Sequence, residues 1–137
     1  MSEPSVDGAP IRVLVVDDHP LVREALAERL ADEDGLTVVG ACEDGSEAVD
    51  AAARLQPDVV FMDLSMPVMD GLAATQAVRA ARPETHVILL TVEADRTRPG
   101  AAAAGAAAVV PKAARADGLL ECMRAVTEGR EGCPYCL

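Results

Sequence analysis

The sequence has almost no aromatic residues. Phe61 and Tyr135 are the only two, and tryptophan is absent. A core without rings has to be assembled from Val, Leu, Ile, Met and Ala, and half of the 137 residues are hydrophobic. That share excludes a disordered chain, and the length is one domain's worth with room for a real core. Positive charge is also scarce: 12 Lys and Arg face 23 Asp and Glu, a formal net charge of −11. Nucleic-acid phosphates are bound by clustered Lys and Arg, so no direct contact with nucleic acid is expected, and an anionic membrane surface is disfavoured for the same reason. No apolar run reaches the ~18–20 residues of a spanning helix, so no membrane role is expected. Met1 to Pro10 lacks the basic-then-apolar order of a secretory signal and reads as a flexible leader. The cytoplasm is the expected compartment. Cys42, Cys122, Cys133 and Cys136 do not make a dense disulfide framework, and the first two read as small core residues.

What is present alternates. Ile11–Val16 is a continuous apolar run, as expected of a strand buried on both faces. Pro20 suits a first helical turn, and Leu21, Val22, Ala25, Leu26 and Leu30 follow at helical spacing. Thr37–Cys42 predicts a second strand, and Glu47 to Leu55 a second helix with Ser46 as its cap. Val59–Met62 is the third strand, about Leu72 to Ala81 the third helix, and His86–Leu90 the fourth strand. Asp95 to Ala104 holds Pro99-Gly100 and a run of alanines with no large apolar residue, which predicts a short, weakly docked and mobile helix starting near Pro99. Ala107–Val110 is the fifth strand, placed at an edge because Pro111 cannot donate to a ladder, and about Asp117 to Glu128 is the fifth helix. Strands alternating with helices imply an α/β, doubly wound, five-stranded parallel sheet. Residues 11–128 form the domain, and 129–137 a tail.

Polar residues stand where the apolar strands run out: Asp17 and Asp18 after the first, Asp63 after the third, Thr91 after the fourth and Lys112 after the fifth. Ligands of parallel α/β sheets bind outside the carboxyl ends of the strands, so these residues can meet at one rim. Carboxylates, a hydroxyl and an ammonium there suit a divalent metal and a phosphoryl group. His19, beside the acids, reads as a helix-start residue, and Met62, Met66 and Met69 as packing around the loop.

Val15-Val16-Asp17-Asp18-His19-Pro20-Leu21-Val22-Arg23 resembles the opening of response-regulator receiver domains of the NarL/FixJ type in two-component signalling. Asp63-Leu64-Ser65-Met66-Pro67-Val68-Met69-Asp70-Gly71-Leu72 is similar to their phospho-acceptor loop, and Leu89-Leu90-Thr91 and Gly105-Ala106 with Lys112 complete the set. Each piece is weak alone; together, in order, they are specific. The resemblance implies a flavodoxin-like fold with strand order 2-1-3-4-5. It implies that Asp63 is the phosphorylated nucleophile, that Asp18, Asp63 and the Ser65 carbonyl coordinate Mg²⁺, and that Asp17 acts through water. Thr91 would bond a phosphoryl oxygen and Lys112 would pair with Asp63. The implied partners are a sensor histidine kinase and a downstream protein or output domain, reached through the face formed by the fourth helix, fifth strand and fifth helix; a homodimer is left open. The implied activity is a switch that catalyses only its own phosphorylation and dephosphorylation.

The pattern is broken in two places. Receivers usually carry an aromatic three residues before the lysine, where this chain has Val109, and the alanine-rich fourth helix lacks the usual bulky residues. Both changes touch the output face and predict a weakened readout through Thr91 and Val109. The reading adopted is a stand-alone receiver, with the receiver part of a longer transcriptional regulator as the alternative. Cys133-Pro134-Tyr135-Cys136 is similar to the glutaredoxin motif, but it lacks the strand-then-helix setting that stabilises a thiolate. It is expected to be an unstructured tail, with a labile disulfide, a metal clip to another chain or a docking tag as alternatives. Rival functions are a phosphatase with an aspartyl intermediate, a phosphorylation-independent interaction module, and a redox or metal-binding protein using the terminal cysteines.

Overall fold

The computed structural model describes residues 10–66, 69–114 and 116–137. The expected leader, apart from Pro10, lies outside the described residues. The chain alternates without exception: β1 (Ile11–Val16), α1 (Pro20–Ala31), β2 (Leu36–Cys42), α2 (Gly45–Leu55), β3 (Val59–Asp63), α3 (Gly71–Ala81), β4 (His86–Thr91), α4 (Ala94–Ala104), β5 (Ala108–Pro111) and α5 (Ala116–Glu128). All ladders are parallel and the strand order is β2-β1-β3-β4-β5, the doubly wound topology the sequence implied.

The unbroken apolar runs are explained by the two faces they fill. Successive side chains of a strand point to opposite faces. Leu14, Val16, Val60, Met62, Val87, Leu89 and Val109 therefore pack on one side, against Ala48, Ala51 and Ala52 of α2, Ala74 and Val78 of α3, and Ala101 of α4. Val13, Val15, Val59, Phe61, Ile88, Leu90, Ala108 and Val110 pack on the other, against Leu30 of α1 and Leu119, Leu120 and Met123 of α5. Small residues on α2, α3 and α4 let those helices approach the sheet closely, which is how a core forms with a single ring, Phe61, fully enclosed. In α1 the expected stripe is only partly used: Leu30 is buried, while Leu21 is 82% exposed and Val22 48%.

Three expectations are corrected. Asp44, not Ser46, caps α2: its carboxylate accepts the Glu47 N–H at 2.9 Å, and the helix starts at Gly45. Either short polar residue suits a cap, and the one further upstream holds the extended backbone that capping needs. The fourth helix does not start near Pro99 but at Ala94, five residues earlier. Thr97 secures that first turn, its N–H and hydroxyl both donating to the Glu93 carbonyl (3.1 and 2.8 Å), and Pro99 lies inside the helix. Thr97, Ala101 and Ala104 are buried, so the helix is docked through small side chains. The tail is not unstructured. The Val109 N–H donates to the Tyr135 carbonyl (3.0 Å), the Leu137 N–H to the Ala107 carbonyl (2.9 Å), and Ala108 and Cys136 form an antiparallel bridge. β5 is the edge strand of the parallel sheet, as Pro111 required, and the tail satisfies part of its outer backbone.

The chain leaves β3 and enters α3 under a tight steric constraint. The Gly71 N–H donates to the Leu64 carbonyl at 2.7 Å. A Cβ at Gly71 would stand 2.6 Å from the Asp63 carbonyl oxygen and 2.8 Å from the Leu64 Cα. A Cβ at Gly100 in α4 would reach only ordinary contact, 3.4 Å from Leu72. Gly71→Ala should therefore lower the unfolding free energy by about 1–3 kcal/mol. Gly100→Ala should be neutral or raise it by up to about 1 kcal/mol. Urea titration of the two variants checks the contrast, and equal effects would refute the steric account.

Candidate functional site

Parallel pairing puts the carboxyl ends of the strands on one rim, and the polar residues that follow them converge there. Asp63, the last residue of β3, is 1% exposed. Its Oδ1 faces the Lys112 Nζ at 3.0 Å and accepts the Ser65 N–H at 3.3 Å. Lys112 is carried by the turn after β5, and its own N–H donates to the Thr91 carbonyl (2.9 Å), which ties that turn to the end of β4. Asp17 is equally buried, and its N–H donates to the Cys42 carbonyl at 3.0 Å, extending the β1–β2 ladder by one residue. The Asp17 Oδ1 accepts the His19 N–H (2.8 Å) and its carbonyl accepts the Arg23 guanidinium (2.8 Å), so the start of α1 is bolted to the acid before it.

The oxygens offered by Asp17, Asp18 and Asp63, with a His19 nitrogen, lie within 4.8 Å of one another. His19 is at the cap position of α1, as expected of a helix-start residue, and makes no side-chain cap bond. Its Nδ1 is 3.1 Å from the Asp18 Oδ1, without hydrogen-bond geometry. Thr91 ends β4, buried, and its hydroxyl oxygen accepts the Glu93 N–H at 3.1 Å, which leaves the hydroxyl proton available for donation. Ser65 is exposed at the mouth, beside a cleft of about 650 Å³ lined by Asp18, Leu64, Ser65, Met66, Asp70 and Leu72. Val109 is buried on the α2–α4 side of the sheet and not at the rim.

Burial pushes the Asp63 carboxyl above the usual carboxylate range; Lys112 opposes that shift and the nearby Asp17 charge adds to it. The buried oxygens Asp17 Oδ2, Asp18 Oδ1 and Asp63 Oδ2 have no hydrogen-bond partner among the described residues. Carboxylate oxygens left bare at close quarters fit a hard divalent cation such as Mg²⁺, which takes one or two carboxylates and fills its other positions with water and phosphate oxygens.

Two residues escaped the sequence reading. Arg23 braces the Asp17 carbonyl from one turn into α1, and Cys122 lies with Cys133 and Cys136 in a thiol cluster. For Arg23 its place after the double acid was the only signal, and for Cys122 there was none, because the contact depends on the fold of the tail. No helix among the described residues is long and apolar enough to cross a membrane.

The family model described as the response regulator receiver domain matches residues 13–124. The chain is 43% identical over 121 residues to the response regulator GacA of Pseudomonas viridiflava, covering 88% of this chain and 56% of that protein. It is 38% identical over 121 residues to the transcriptional regulatory protein LiaR of Bacillus subtilis, covering 87% and 57%. It thus spans a little more than half the length of these curated relatives. Among solved structures it is similar to a two-component response regulator of the LuxR family from Aurantimonas sp. SI85-9A1, with a TM-score of 0.84, 30% identity, and 89% and 88% of the two chains covered. The rim, the strand order and these likenesses agree: the chain belongs to the response-regulator receiver family, whose general role in two-component signalling is to accept a phosphoryl group.

Proposed function

We propose that Asp63 accepts a phosphoryl group from a phosphohistidine of a sensor histidine kinase, and that the modified site controls a partner protein or output domain through the face formed by α4, β5 and α5. The observation that carries this reading is the division of labour on one carboxylate. Lys112 holds Oδ1 at 3.0 Å, while Oδ2 is bare and grouped with the Asp17 and Asp18 oxygens. A carboxylate oxygen so oriented can act as nucleophile. Oδ2 forms the new bond to phosphorus as the bond from phosphorus to the donor imidazole breaks, and the electron pair stays on that ring nitrogen, which then takes a proton. Phosphoryl transfer is dominated by positioning and charge stabilisation, and Lys112 supplies a compact positive charge beside the acceptor. Mg²⁺, held by Asp18, Asp63 and the Ser65 carbonyl with Asp17 acting through water, would offset the repulsion between the acids and the incoming phosphoryl. Thr91 donates its free hydroxyl proton to a phosphoryl oxygen, and because the same hydroxyl accepts the Glu93 N–H, the phosphorylated state is reported at the start of α4. Attack of water at phosphorus returns the carboxylate and releases inorganic phosphate. The exposed Leu21 and Val22 beside the rim give a donor protein apolar surface to rest on. This chemistry supports a cytoplasmic site of action.

Incubation with Mg²⁺ and acetyl phosphate, followed by intact mass, should add one phosphoryl group to the wild type and none to Asp63→Asn. Equal labelling of both would sink the assignment.

The raised Asp63 pKa carries a stability signature. Between its ordinary and its raised value the folded state holds more protons than the unfolded state, so stability is present at low pH and lost as pH rises through that window. In metal-free buffer at neutral pH, Asp63→Asn should melt above the wild type, and the gap should close as pH falls into the carboxylate range. Mg²⁺ at a hundred times its Kd should raise wild-type stability by about 2.7 kcal/mol and that of Asp63→Asn by much less. Calorimetry with and without the ion measures both signs.

Val109 and the small side chains of α4 predict a muted response on the output face. Adding beryllofluoride as a phosphoryl mimic should change amide exchange in α4 only slightly; a large shift there would refute the weakened readout.

A further inference from the structure

Cys122 belongs to the buried stripe of α5, between Leu119 and Met123. Beyond α5, Gly129 (φ 68°) and Gly132 (φ 92°) take the left-handed backbone and turn the chain back toward the sheet. The returning segment is held by the Tyr135 and Cys136 carbonyls, which accept the Arg98 guanidinium of α4 at 3.3 and 2.9 Å, and by its bonds to β5. That path lays Cys133 and Cys136 over Cys122, with the three sulfurs within 4.8 Å of one another. Sulfurs bound to one tetrahedral Zn²⁺, at ~2.3 Å each, stand about 3.8 Å apart, so the cluster needs only a small contraction. The two-residue gap between Cys133 and Cys136 is the spacing of zinc-binding cysteine pairs. The Cys136 N–H donates to the Cys133 carbonyl (3.4 Å) across this turn.

We propose that Cys122, Cys133 and Cys136 bind one Zn²⁺ ion through three sulfurs, and that the ion fastens the C-terminal segment to β5 and α5. The site is separate from the acidic rim and does not rest on phosphoryl chemistry. Soft sulfur donors select it for a thiophilic ion and against Mg²⁺. No fourth His, Cys, Asp or Glu among the described residues joins the three sulfurs. The fourth position is left to water or an exogenous donor, within a cavity of about 370 Å³ lined by Gly118, Glu121, Arg130 and Tyr135 beside Cys122 and Cys133. A disulfide between Cys133 and Cys136 would engage two sulfurs and leave no role for the third, whereas an ion uses all of them. Because Tyr135 bonds the backbone of β5 and Leu137 that of Ala107 just before it, metal occupancy would set how firmly that edge of the output face is covered.

The full chain, reduced and stripped of metal, is titrated with Zn²⁺ against a chromophoric chelator in excess Mg²⁺, which keeps the acidic rim engaged. One Zn²⁺ per chain should bind, and the Cys133→Ser/Cys136→Ser variant should lose more than the about 10–100-fold in affinity that loss of a mere outer partner costs. Co²⁺ should give a thiolate charge-transfer band in the wild type and in neither that variant nor Cys122→Ala, with circular dichroism checking that each is folded. Zn²⁺ should slow amide exchange at Val109 and Leu137 in the wild type alone. Should Cys122→Ala fail to fold, the tail variant, which leaves the helix intact, decides the matter. Retention of one Zn²⁺ by the tail variant, absence of the cobalt band, or a reduced chain that binds no Zn²⁺ would each overturn the proposal.

Discussion

Three carboxylates crowded at one buried rim are the constraint on which the rest of the structure depends. Like charges a few ångströms apart cost about 4 kcal/mol per pair at an effective dielectric of ~20, and burial raises the cost of each charge. Water would separate and hydrate such acids; the parallel sheet does not let them separate. Asp63 is fixed by the β3 ladder, and Asp17 by its bond to Cys42 and the brace of Arg23. The Lys112 ammonium is the compensating group the chain itself provides, and it is delivered by another strand. The rim is therefore charged, under-neutralised and rigid, which is the condition in which a cation and a phosphoryl group find the most to gain.

The fold delivers this rim by burying both faces of the sheet with small side chains. With one ring in the core, contact area must come from close approach, and the alanines of α2, α3 and α4 allow it. The same economy marks the α4–β5–α5 face proposed for output. Val109 and the alanines of α4 offer little bulk to move between two arrangements, and discrete alternative packings are how small shifts at a site are amplified. The chain places Tyr135 along β5 instead, on a segment returning from beyond α5, where its carbonyl is bonded by Val109 and Arg98. Its ring, carried by the tail that holds Cys133 and Cys136, packs on the α1–α5 side of the sheet, the face opposite Val109, so only the Tyr135 backbone covers β5.

The sheet was legible in the order of residues because strands buried on both faces read as unbroken apolar runs, and helices between them as spaced ones. The rim was legible for a related reason: each polar residue follows its strand directly, so once parallel pairing is granted, Asp17, Asp18, Asp63, Thr91 and Lys112 share an end of the molecule. The family resemblance supplied the strand order, which periodicity does not contain. Element ends were less legible. Ser46 and Asp44 are equivalent by type, and only backbone conformation selects Asp44; Pro99 reads as a start when the Thr97 hydroxyl secures an earlier one.

By itself, then, the sequence determined which residues form strands, which polar groups end them, and the sign of the charge gathered there, because these follow from local periodicity and residue chemistry. Only the tertiary structure decided which oxygen of Asp63 Lys112 engages, that Arg23 braces Asp17, that most of the apolar start of α1 stays in solvent, and that three cysteines distant along the chain meet beside β5. Those are outcomes of packing between elements far apart in the chain, and no local pattern encodes a distance of that kind.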